Sequence, residues 1–78
     1  MNSHTTTLDR LYVGSTAIVK ELLNTGSIRR RLQDLGLVEG TAVQCLQKSP
    51  CGDPIAYLIR GAVIAIRSED SSNILVEV

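Results

Sequence analysis

The stretch "RRRLQDLGLVEGTAV", residues 29–43, predicts a short helix that passes into a β-strand. Ser27 is a good N-cap residue, and the helix that follows it is predicted to end at Leu35. Gly36 suits the left-handed position that closes many helices. At about 100° per residue, one narrow apolar stripe runs along this helix and consists of Ile28, Leu32 and Leu35. The stripe indicates a helix that packs one face against a core.

The three consecutive arginines of this helix point in three different directions on a helical wheel. Arg30 faces water opposite the stripe, whereas Arg31 borders it and can cover its rim with methylene groups. Arg30 and Arg31 are also spaced to pair with Asp34 along the helix. Three interpretations remain open: a solvated helix face, a basic contact for an acidic partner protein, and a nucleic-acid patch.

On either side of this helix, the sequence predicts about five short strands. The segments richest in β-branched residues are 16–23, 41–48, 55–60, 62–67 and 74–78. The segment 49–54, "SPCGDP", is a strong turn signal, and Gly61 indicates a bulge or a close backbone approach. Residues 1–7 lack periodicity and are predicted to be a flexible N-terminus, followed by one domain over residues 8–78. The prediction is a mainly β fold, a small barrel with a short helix inserted after the first strand, whose closure removes exposed edges.

Composition limits the classes of function. The 78 residues carry zero formal net charge, and 44% are hydrophobic, so one small aliphatic core is expected. Domains that bind nucleic acid by counterion release are usually basic, so neutrality argues against that class. No segment approaches a membrane span and none resembles a signal peptide, so we expect no direct membrane insertion and a cytoplasmic location.

The sequence offers little for catalysis or metal binding. His4 is the only histidine and lies in the segment predicted to be flexible, so no Ser-His-Asp or Cys-His set can be assembled on rigid elements. Cys45 is expected in the core and Cys51 in an exposed turn, both reduced. A structural zinc site needs four ligands, which the chain does not supply at ordinary spacing. We therefore predict no enzyme activity and no cofactor, and leave open a weak metal site at Cys51 and Asp53 completed by an outside ligand.

The order and spacing of several short motifs resemble the FeoA family over residues 8–78. The matching positions are Leu8, Leu11, Gly14, Ala17 and Ile18, then "RLQDLGL" at 31–37, Gly40 and Val43, "SPCGDPI" at 49–55, "GAVIAIR" at 61–67, and Ile74 with Val76. Two positions depart from the family pattern, Glu39 where proline is common and Ser71 where alanine is frequent. Neither departure alters the resemblance.

The resemblance implies an SH3-like β-barrel with a helix after the first strand. It further implies a non-enzymatic cytosolic accessory protein of bacterial ferrous iron uptake. Such a protein docks on FeoB, a membrane transporter that has a GTPase domain, and regulates or assembles it. Two alternatives remain, the C-terminal SH3-like domain of an iron-dependent repressor and a small RNA-binding barrel. The strand edges also allow self-association into a dimer or trimer.

The candidate partner contacts are the side chains expected on the surface. Tyr57 alternates with Ile55 and Ile59, so it is predicted either in the core or barrel mouth or as an interface anchor. The full candidate set is Arg29, Arg30, Pro50, Cys51, Gly52, Asp53 and Tyr57.

Overall fold

The computed structural model describes residues 4–78, which form six strands and two short helices. The elements in chain order are β1 (Thr5–Thr7), a 3₁₀ turn (Leu8–Arg10), β2 (Thr16–Leu22), α1 (Gly26–Asp34), β3 (Ala42–Lys48), β4 (Ile55–Ile59), β5 (Ala62–Ile66), α2 (Ser68–Ser71) and β6 (Ile74–Glu77). The mainly β fold with a helix after the first long strand is therefore confirmed. Within residues 4–78, neither helix has the length or the apolar character needed to cross a membrane.

All strands lie antiparallel in one sheet with the order β1-β6-β2-β3-β4-β5. The expectation that closure leaves no edge is wrong for the described residues, because β1 and β5 each pair on one side only. The sheet instead bends at two register shifts, between Val19 and Glu21 and between Cys45 and Gln47.

The N-terminal segment corrects the predicted flexible region. Thr5–Thr7 pairs with β6, and the N–H of Val78 donates to the carbonyl of His4 at 2.9 Å. Three threonines give no hydrophobic alternation, yet threonine suits a strand when a partner is available. Residues 1–3 of the predicted flexible segment lie outside the described residues.

Helix α1 begins one residue earlier than its predicted cap. It starts at Gly26 with Thr25 at the N-cap, so the assignment of Ser27 as the cap is wrong, and no side chain caps this end. The other end is as predicted. Gly36 has φ +109°, its N–H donates to Gln33, and the next N–H, from Leu37, donates to Leu32. These two bonds form a Schellman motif.

Gly61 has a different role from the predicted bulge or close backbone approach. It forms the two-residue turn of the β4–β5 hairpin with Arg60, since Ile59 pairs directly with Ala62. Both turn residues have positive φ, +52° for Arg60 and +83° for Gly61. Such turns match the right-handed twist of two strands.

The core consists of aliphatic residues from every long strand, with one tyrosine at its centre. In β2, Ala17 and Val19 face inward while Ile18 and Lys20 face outward, the alternation expected of a half-buried strand. The buried apolar residues are Leu8, Leu11, Ala17, Val19, Leu22, Leu32, Leu37, Val43, Cys45, Ile55, Tyr57, Ile59, Ile66, Ile74 and Val76.

Candidate partner-binding site

Arg29 ties helix α1 to the strand before it. Its Nη1 donates to the carbonyl of Leu22 and, at 3.5 Å, to the carbonyl of Asn24. These carbonyls lie where β2 ends, so the guanidinium satisfies backbone acceptors that the sheet leaves unpaired. Arg29 therefore has a structural role that sequence periodicity did not reveal.

Arg30 is a predicted contact that the fold leaves available. Its side chain is exposed, and no hydrogen bond is recorded for it within residues 4–78. The predicted ion pairs of Arg30 and Arg31 with Asp34 are likewise absent from the described part of the chain. An exposed guanidinium that has no intramolecular partner is available to pair with a carboxylate of an acidic surface, and such an exposed pair contributes about 1 kcal/mol or less.

The loop between β3 and β4 presents a tight turn. Gly52 has φ +87°, and its N–H donates to the carbonyl of Ser49 at 2.7 Å. Pro50, Cys51 and Gly52 are exposed at the tip of this turn. The tip is thus accessible, as predicted.

Asp53 points away from the tip and caps helix α2. Its Oδ1 accepts a hydrogen bond of 2.7 Å from the N–H of Ser68, the first residue of that helix. The cap of α2 therefore comes from a loop residue fifteen positions earlier in the chain. A carboxylate at a helix N-terminus satisfies a free N–H and complements the helix dipole.

Tyr57 is buried, so its assignment as an interface anchor is wrong and the core alternative is right. Its ring is 0% exposed, and its hydroxyl donates to the carbonyl of Leu8 at 3.3 Å. Burial raises the pKa of Tyr57 to about 12, an effect that the nearby Ser71 hydroxyl partly offsets. The geometry between the two hydroxyls falls outside that of a regular hydrogen bond, since Ser71 Oγ has no partner. Ile55 and Ile59, with which Tyr57 alternates, are buried as well, so all three lie on the inward face of β4.

The predicted residues do not form one patch. Arg29 contacts the end of β2, Asp53 contacts the start of α2, and Tyr57 lies in the core. Arg29 is exposed, but its guanidinium is engaged, so Arg30 and the loop tip are the exposed candidates whose side chains are not used internally.

A groove that the sequence did not indicate lies between α1 and β5. It encloses about 140 Å³ and is lined by Ile28, Arg31, Leu32, Leu35, Ala65, Ile66, Arg67 and Asp70. The floor is aliphatic, while Arg31, Arg67 and Asp70 supply charge at the rim. The apolar stripe of α1 was the one sequence feature that could have indicated this groove. The core covers only part of the stripe, since Ile28 is 38% exposed.

No metal centre is formed by the described side chains. Cys45 is buried, where burial raises the pKa of its thiol, and Cys51 is exposed. Across residues 4–78, no three His, Cys, Asp or Glu side chains come together in an arrangement that could hold a metal ion. The Asp53 carboxylate of the weak site considered from sequence already accepts the Ser68 N–H.

Sequence comparison matches this chain to a family model and to a relative that is a much longer protein. The FeoA domain model matches residues 6–78. A relative from Porphyromonas gingivalis, the Fe(2+) transport protein A/Fe(2+) transporter FeoB fusion protein, is 31% identical over 70 residues, or 90% of this chain. The chain spans 8% of the length of that fusion protein.

Solved structures share the fold. The FeoA protein of Chlorobium tepidum has a TM-score of 0.88 at 35% identity, covering 92% of this chain and 69% of that one. Stenotrophomonas maltophilia FeoA, an SH3 domain protein complexed with zinc, has a TM-score of 0.80 at 28% identity, covering 90% and 87%. The IdeR of T. acidophilum has a TM-score of 0.84 at 24% identity, covering 95% of this chain and 34% of that one, which shows the fold alone. With a family model over nearly the whole chain and an SH3-like structure throughout, the chain belongs to the FeoA family.

Proposed function

We propose that this chain is a non-enzymatic accessory protein of bacterial ferrous iron uptake that docks on an FeoB-type membrane transporter and regulates or assembles it. The docking would take place on the cytosolic side, at the transporter's GTPase domain. The observation that carries the proposal is the fusion relative, in which an FeoA segment and FeoB are parts of one polypeptide. Domains fused in one chain have a high effective concentration for each other, which suits two modules that act together.

A docking role is supported by exposed side chains that form no hydrogen bond within the described part of the chain. Arg30 is exposed on α1, and Pro50, Cys51 and Gly52 are exposed at the tip of the loop between β3 and β4. Arg30 is the stronger candidate because an exposed cation contributes to both the rate and the specificity of association. Arg29 and Asp53 are removed as primary contacts because each already satisfies backbone groups of this chain.

The experiment is a binding measurement between this protein and the cytosolic domain of an FeoB-type transporter, with the nucleotide state varied. Arg30→Glu should weaken the complex by about five-fold or more, the effect of losing one surface ion pair of about 1 kcal/mol. The matched control is Arg10→Glu, which reverses an exposed arginine at the end of the 3₁₀ turn, away from α1.

Two results would count against the proposal. If the wild-type protein shows no binding in any nucleotide state, docking on that domain is wrong. If it instead binds oligonucleotides with an affinity that falls steeply with salt, the RNA-binding alternative replaces it. Equal weakening by both charge reversals would remove Arg30 as a specific contact.

A further inference from the structure

We propose that the free edge of β5, together with the α1–β5 groove beside it, binds an extended apolar segment with acidic ends from a partner protein, by strand addition. This inference does not depend on the transporter being the partner. It concerns how the chain recognises a partner segment, and it is tested with a peptide alone.

The first step is the set of backbone groups that β5 leaves unpaired. The two-residue turn makes Ile59 and Ala62 the closing pair of the hairpin, which exchanges hydrogen bonds. Because bonded and non-bonded pairs alternate along antiparallel strands, Val63 and Ala65 point their N–H and C=O groups away from β4. No turn or loop hydrogen bond within residues 4–78 involves either of them. These groups form a template for one more strand.

The second step is the character of this edge. Natural edge strands carry lysine, proline or bulges that discourage pairing with other chains. Strand β5 reads Ala-Val-Ile-Ala-Ile, with no charge and no proline, and it pairs with β4 without a register shift. Val63 is 67% exposed, more than most apolar side chains of this protein. The opposite edge, β1, is three threonines long and far more polar.

The third step is the groove, which adds a place for side chains of the incoming strand. It lies along the C-terminal half of β5, where Ala65 and Ile66 meet Leu32 and Leu35 of α1. Strand addition takes its affinity from main-chain hydrogen bonds and its specificity from pockets for alternate side chains. An added strand would place every second side chain toward this groove and over Ile64, which the core covers only in part.

The fourth step is charge, which selects the occupant. Arg60 lies at one end of β5, where its Cδ is 3.1 Å from the position that a Cβ on Gly36 would take. Arg67 follows the other end of β5. Arg31 and Arg67 both line the groove, where Asp70 is the one acidic lining residue, so positive charge is in excess there. Both ends of the template are therefore cationic, which favours a segment with an acidic residue at each end.

The same charges argue against a second copy of this chain as the occupant. A two-fold antiparallel pairing of two β5 strands centred on Ile64 would put Arg67 of each copy opposite Gly61 and beside Arg60 of the other. Like charges brought close together repel, and this pairing would bring the two arginines near each other at both ends. A partner with acidic ends replaces each repulsion with an attraction.

The experiment follows amide hydrogen exchange of the isotope-labelled full chain by NMR. The probe is a short capped peptide that alternates valine with threonine and carries aspartate and glutamate at its two ends. In the free protein, the amides of Val63 and Ala65 should exchange fast although they lie within a strand. With peptide at about ten times its Kd, the exchange of these two amides should slow by about ten-fold, whereas the exchange rate of the Ile64 amide should change less.

Variants of the chain test the edge and the charge separately. Val63→Pro removes one free donor without touching the β4 ladder, and Val63→Lys places an edge-protecting charge there; each should abolish the added protection at Ala65. Ile18→Lys is the matched control, because Ile18 is an exposed apolar residue on β2, a strand that pairs on both sides. Arg67→Glu should weaken peptide binding by about five-fold, and Arg10→Glu should leave it unchanged.

Three results would overturn the inference. The first is unchanged exchange at Val63 and Ala65 with peptide in excess and the wild-type protein folded. The second is equal binding of a control peptide with lysine at both ends, which would remove the charge selection. The third is protection of the two amides that rises with protein concentration without peptide, which would identify a second copy as the occupant.

Discussion

Replacing Tyr57 with phenylalanine should destabilise the protein at neutral pH and stabilise it above about pH 11. At neutral pH the variant keeps the ring in the core and loses the hydrogen bond from the hydroxyl to the Leu8 carbonyl. That carbonyl also accepts the N–H of Leu11 at 3.2 Å, so it is not left without a partner. We therefore expect a cost of about 1 kcal/mol in the free energy of unfolding.

The alkaline effect has the opposite sign. Burial raises the pKa of Tyr57 from 10.0 to about 12, so the folded state holds the phenolic proton where the unfolded chain has released it. The resulting stability is fully present below pH 10 and is lost as pH rises from 10 toward 12. The loss is about 1.4 kcal/mol at about pH 11 and between about 2 and 3 kcal/mol when complete. Phenylalanine has no proton to lose, so the two stabilities should cross near pH 11, where the loss equals the neutral-pH cost.

The assay is urea unfolding at a series of pH values, followed by far-ultraviolet circular dichroism. Every other titrating group is common to wild type and variant, so its contribution cancels in the difference. Tyr12→Phe is the matched control: its ring is 81% exposed, and its loss should change the stability at neutral pH by less than about 0.5 kcal/mol. In that variant Tyr57 is the only tyrosine, so its ionisation can be followed directly by absorbance. Parallel stability curves for wild type and Tyr57→Phe throughout the alkaline range would refute the reasoning.

Three further pairs of substitutions test the structural roles assigned above, each by urea unfolding. Leu32→Ala should cost about 2–5 kcal/mol because the side chain is 5% exposed, and Leu35→Ala should cost less because its side chain is only partly buried; the reverse order would contradict the assigned helix face. Arg29→Met should lower the free energy of unfolding by about 1 kcal/mol because it removes the hydrogen bonds to backbone carbonyls, whereas Arg30→Met should change it by less than about 0.5 kcal/mol. Equal effects would show that the hydrogen bonds of Arg29 do not stabilise the fold. Asp53→Ala should cost about 1 kcal/mol and Asp53→Asn less, since asparagine can still accept the first N–H of α2; no loss in either variant would exclude the capping role.

Local features were readable from the sequence. The C-terminal end of α1 depends on Gly36 and the residues within one turn of it. The predicted end is closed by the hydrogen bonds from the N–H groups of Gly36 and Leu37 to carbonyls of the last turn. The alternation of Ile55, Tyr57 and Ile59 likewise indicated that these residues share one face of β4, and the fold decided that this face is buried. These patterns succeed because each rests on the geometry of a few consecutive residues.

Features that join distant parts of the chain were not readable. Thr5–Thr7 becomes a strand only because β6 lies beside it, and Asp53 becomes a cap only because the hairpin brings it to Ser68. The same holds for Arg29, whose acceptors are set by where β2 stops rather than by the helical wheel. Single-sequence patterns contain no information about such neighbours.

The sequence by itself determined a small aliphatic domain, its five longer strands and helix α1, and the family pattern spread along them. The tertiary structure alone decided which polar side chains are used internally, which strand lies at an edge, and where a groove forms. The physical reason is that propensity and periodicity act over one or two turns, whereas hydrogen-bond satisfaction and burial depend on whatever the fold brings next to each group.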